Sequence, residues 1–70
     1  MDVWIYVGKF VRENKNNKEA IEHTLKRNNI EANLEAGMFP DFYINNLDKK
    51  GAESIMRIIN RTDNYCAKIK

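Results

Sequence analysis

Val3-Trp4-Ile5-Tyr6-Val7-Gly8-Lys9-Phe10-Val11 is the stretch that decides how this chain folds. β-Branched and aromatic residues crowd it, and such side chains suit a pleated surface better than a helix. A first strand is therefore predicted from Val3 to Val11. Successive strand side chains point to opposite faces. Val3, Ile5 and Val7 form one set, all aliphatic. Trp4, Tyr6, Gly8 and Phe10 form the other. Both sets are apolar, so a slip of one residue would exchange their faces and turn Trp4 into core.

Beyond this strand, Arg12 to Asn17 is polar and reads as a loop. Asn16 is placed as a helix N-cap, with Glu19 three residues on to complete a capping box. Ala20, Ile21, Thr24 and Leu25 recur at helical spacing on one face. Asn28-Asn29 should stop this helix, because asparagine tolerates the left-handed conformation that ends helices. Ile30 to Ala36 alternates, with Ala32, Leu34 and Ala36 on one side and Glu31, Asn33 and Glu35 on the other, which predicts a half-buried strand. Gly37 to Asp41 holds the only proline and reads as a turn. Phe42-Tyr43-Ile44 is a short third strand. Asp48 then caps a second helix, whose Ala52, Ile55, Met56 and Ile59 give an i, i+3, i+4, i+7 stripe. Asn60 to Asn64 breaks it, and Tyr65 to Lys70 alternates as a last strand.

The order is β-α-β-β-α-β. It predicts an α+β fold of the ferredoxin-like, split βαβ type: a two-layer sandwich with both helices on one face of a four-stranded antiparallel sheet, the first and third strands central. At 70 residues the expectation is a single domain, 1–70, near the lower size limit for an unaided core. The composition, 43% hydrophobic and 31% charged, is that of a globular chain. No segment approaches the length of a membrane span. The N-terminus lacks the basic, then apolar pattern of a signal peptide. The lone Cys66 allows no intrachain disulfide and fits a reducing, cytoplasmic setting. Lysine, asparagine and isoleucine are plentiful, as in chains encoded by AT-rich genomes such as those of phages or low-GC bacteria.

With the aliphatic sets beneath the helices, Trp4, Tyr6 and Tyr43 should lie together on the helix-free face of the sheet, bordered by Lys68 and Lys70. Such a surface usually marks a binding site. Three uses compete for it. The first is packing on protein, including a second copy of the chain, since Trp and Tyr bury area and keep a polar tip. The second is single-stranded nucleic acid. Ile5-Tyr6-Val7-Gly8-Lys9-Phe10 resembles the first of the two signature motifs of the RNA-recognition-motif family, with Tyr6 at its base-stacking position. The resemblance implies that Tyr43, on the third strand, stacks a further base, with Lys9, Lys68 and Lys70 meeting phosphates. It covers six residues, and Pro40 and Asp41 depart from the family's second motif. The third is a face partly covered by the C-terminus and by long side chains, doing little.

No residue pattern points to catalysis, a cofactor or a metal, and a non-enzymatic domain is expected. His23 sits mid-helix among charged neighbours without a partner that would give it a role. Cys66 is a lone strand cysteine, and no Cys-x-x-Cys is present, which excludes the heavy-metal transport domains of this fold. The arginine-bearing loop of the acylphosphatases has no counterpart after the first strand. Gly8-Lys9 follows a strand, as in phosphate-binding loops, but lacks their glycine spacing; Arg12 and Lys15 in the same loop are cations near the start of the first helix that would suit an anion or phosphate. Lys49, Lys50, Arg57 and Arg61 give the second helix a basic outer face, against a net charge of only +2. A solvated face accounts for them, and an acidic protein partner or a nucleic-acid backbone is the alternative.

Overall fold

The computed structural model describes residues 1–70. Its elements are β1 (Val3–Val7), α1 (Asn17–Arg27), β2 (Glu35–Ala36), β3 (Phe42–Ile44), α2 (Lys49–Ile59) and β4 (Tyr65–Ile69). They form a two-layer α+β fold with the expected element order. The four strands make one antiparallel sheet in the order β2-β3-β1-β4, so β1 and β3 are central. This order is compatible with the ferredoxin-like pattern.

One cluster makes the core. Val3 and Ile5 of β1, Ile44 of β3 and Ala67 of β4 meet Ile21 and Leu25 of α1 and Ala52, Ile55 and Ile59 of α2, with Leu34 closing one side. The aliphatic phase of β1 therefore faces the helices, and Trp4 stays out of the core. Asp48 caps α2 as expected, its carboxylate accepting from the Gly51 amide at 2.6 Å. Asn29 ends α1 in the left-handed region at φ 61°.

Several expectations need correction. β1 stops at Val7 rather than Val11. The chain turns at Gly8, whose amide donates to the Asn64 carbonyl at 2.8 Å, and the Val11 amide bonds back to Gly8. Ile30 to Leu34 is not strand. β3 has only three residues, so it offers ladder partners to Glu35 and Ala36 alone. Ala36, on the same side of the predicted strand as the buried Leu34, is exposed, and so is Ile69 at the end of the edge strand. The first helix has no capping box: Asn16 makes no side-chain cap bond, and Asn14 Oδ1 accepts from the Asn16 amide instead.

The residue that ties this helix start down is its neighbour. Asn17 is the one buried polar residue. Its Nδ2 donates to the Val11 carbonyl, and its Oδ1 accepts from the Tyr65 hydroxyl, both at 2.8 Å. The pair links the β1–α1 loop, α1 and β4, and burial holds the Tyr65 phenol above its ordinary range. A buried polar atom stripped of its partner costs more than the bond itself contributed. Asn17→Ala should therefore destabilise the fold by about 2 kcal/mol and Tyr65→Phe by about 1 kcal/mol in urea unfolding. The double variant should lose less than the sum of the two. Strict additivity would show that the bond does not couple them.

Candidate binding face of the open sheet

The pleat of β1 sends Trp4 and Tyr6 away from the helices. Register then fixes their neighbours. Trp4 stands opposite Tyr43 of β3 on one side and opposite Lys68 of β4 on the other. Tyr43 in turn stands opposite Glu35 of β2. The result is one row across all four strands: Glu35, Tyr43, Trp4, Lys68. Tyr6 and Cys66 pair in the same way on the same face.

The middle of the row is in direct contact. The Trp4 and Tyr43 rings stack with centroids 5.1 Å apart and planes 22° from parallel. Offset stacking of this kind contributes about 0.5–1.5 kcal/mol beyond area burial. Lys70 folds back over the face, its Nζ 5.7 Å from the Trp4 ring centroid and 5.7 Å from that of Tyr6. The Lys70 side chain thus covers part of the aromatic surface. Trp4, Tyr6 and Tyr43 remain half-buried; Glu35, Lys68 and Lys70 are exposed.

Gly37, in the turn after β2, makes room for the stack. A Cβ there would lie 2.8 Å from the Trp4 ring and 3.3 Å from that of Tyr43. The turn itself is braced by Asp41, whose carboxylate accepts from the Val7 amide at 3.0 Å and so ties it to the end of β1. The acid that departs from the RNA-recognition pattern therefore has a structural task.

Other residues singled out by sequence fall elsewhere. Lys9 and Arg12 are exposed in the turns after β1, and Lys9 reaches the ring of its neighbour Phe10 at 5.2 Å rather than the sheet face. Gly8, Lys9 and Phe10 are outside any strand, so the segment that resembles the family motif is strand only as far as Val7. His23 is exposed on α1. Cys66 is exposed on the open face, not packed. Lys50, Arg57 and Arg61 line a groove of about 640 Å³ beside α2, on the helical side of the molecule. Glu35 and Gly37 were absent from the expected site. The alternation of Ile30 to Ala36 had put Glu35 on the face away from the core, but its place in the row needs the β2–β3 register. Comparison with known proteins returns no matching family model, no matching curated protein and no matching solved structure.

Glu35 also sets the behaviour of Tyr43. Hydrogen bonding to the Glu35 carboxylate, then its charge, raises the phenol above its ordinary 10.0. The folded chain holds this proton more tightly than the unfolded one. That contribution to stability is complete below the unfolded phenol's pKa and is lost as pH rises through the folded value. Glu35→Gln should bring the Tyr43 midpoint down toward 10.0 in an NMR titration; an unmoved midpoint would contradict the pairing. Gly37→Ala should push Trp4 off Tyr43, removing near-ultraviolet circular dichroism from the pair and costing about 1 kcal/mol. An unchanged spectrum would mean that the approach of Gly37 does not hold the stack.

Proposed function

We propose that this chain is a non-catalytic interaction domain that binds protein, including its own copies, through the open face of its sheet. The observation that carries this reading is the stacked Trp4–Tyr43 pair, flanked by Tyr6, half-exposed on the two central strands with no helix above it.

Size supports the reading. Only 11 of 70 residues are buried, so the core is small. A folded state this close to the lower size limit gains from any partner that covers more apolar surface. An interface of ordinary size takes about 800 Å² per partner. That is about a sixth of the 5061 Å² surface. The edges are poor alternatives. β2 is two residues long, and the Asn60 side chain occupies the free edge of β4, with its Nδ2 donating to the Ala67 carbonyl and its Oδ1 accepting from the Ala67 amide. Strand addition is thereby blocked at the middle of β4. The free thiol of Cys66 supports a reducing compartment such as the cytoplasm.

The charge on the face favours protein over nucleic acid. A groove for single strands is basic along its length, whereas Glu35 closes one side of this row. Light scattering coupled to size exclusion, run from micromolar to millimolar chain, tests the reading. The expected result is a mass above that of the monomer which persists in high salt and falls to the monomer value in Tyr6→Ala. A monomer at every concentration, joined by salt-sensitive quenching of Trp4 by mixed oligonucleotides, would replace it with single-strand binding.

A further inference from the structure

The row Glu35, Tyr43, Trp4, Lys68 reads as acid, aromatic, aromatic, base from one sheet edge to the other. A row of this form is complementary to its own reverse. We infer that the occupant of the open face is a second copy of the chain, related by a two-fold axis that runs parallel to the strands and passes between β3 and β1. The inference rests on the binding reading above and adds the partner and its register.

The geometry selects this axis. Two sheets packed face to face can be related by a two-fold axis lying in the interface, and a two-fold interface sets the same patch on both subunits. If the axis runs across the strands, each row keeps its direction. Glu35 then faces Glu35 and Lys68 faces Lys68, so like charges meet at both edges. If it runs along the strands, the row is reversed. Glu35 faces the second copy's Lys68, Tyr43 faces its Trp4, and the remaining two contacts repeat these by symmetry. Four complementary contacts replace four like ones. Like-charge juxtaposition disfavours the first arrangement, and opposite charges steer and register the second.

Distances fit. Strands lie about 4.8 Å apart, so the row is about 14 Å long, and packed sheets stand about 10 Å apart. Glu and Lys side chains span that gap at the rim, while the aromatic rings fill the middle. The strands of the two copies then run in nearly the same direction, as in aligned sheet packing. Lys70 gives the β4 edge a second cation. Its ammonium lies over Trp4 and Tyr6 in the single chain. On pairing it leaves the rings and turns toward the acidic edge of the partner.

Charge exchange tests the register separately from the face. Glu35 and Lys68 are both exposed, so their substitution leaves the core intact. Glu35→Lys sets lysine against lysine twice in its own dimer, and Lys68→Glu sets glutamate against glutamate twice. Each variant alone should dimerise about tenfold or more weakly than the parent at low salt. A mixture of the two variants restores both pairs within one heterodimer, and the double variant restores both within its own dimer. Light scattering of the single variants, and native mass spectrometry of the mixture with one chain isotopically labelled, are the readouts. The expected result is two weakened homodimers, a dominant one-to-one heterodimer, and a double variant close to the parent. A parent dimer that Tyr6→Ala breaks, but whose charge variants neither weaken nor complement, overturns the two-fold register and leaves the binding face standing. A parent that stays monomeric at all concentrations overturns both.

Discussion

The pleat of β1 is the constraint on which the rest depends. Five residues, apolar on both sides, lie between β3 and β4, and their alternation divides the molecule. Val3 and Ile5 are fully buried against the helices. Trp4 and Tyr6 point the other way by the same geometry. Neither arrangement is free to change alone, because a shift of one residue would put an indole and a phenol into a space shaped for Val3 and Ile5. The core and the open aromatic face are therefore two consequences of one register.

Much of the fold was legible in the sequence because its signals are local. Asp48 and the stripe Ala52, Ile55, Ile59 define α2, and Asn29 marks the end of α1 with a left-handed residue. The strand ends were harder to read because they are set by partners. Phe10 and Val11 carry strand-forming side chains, yet the Gly8 amide is taken by Asn64, more than fifty positions away, and the chain turns. Ile30 to Leu34 alternates like a strand but finds no ladder, since β3 is too short to pair with it. Asn17 gave no signal, because nothing local says that a loop carbonyl and Tyr65 will close on its side chain.

The same distinction governs the candidate site. Trp4, Tyr6, Tyr43 and Lys68 could be placed on one face by counting along strands. Glu35 and Gly37 could not, because their role depends on which residues of β2 and β3 stand opposite each other. Glu35 turns a row of aromatics and a lysine into one with opposite charges at its two ends. Gly37 removes the Cβ that would displace the indole. The basic helix face, by contrast, was visible from the start and remains on the far side of the molecule.

Trp4 is the single tryptophan of the chain, and it sits in the middle of the face. Acrylamide quenching of its fluorescence, followed as chain concentration rises, is the most direct test that this face is covered by protein. A face that closes on a second copy predicts quenching that weakens with concentration, with emission moving to the blue. Quenching that stays at the level of an accessible indole across the whole range would contradict it.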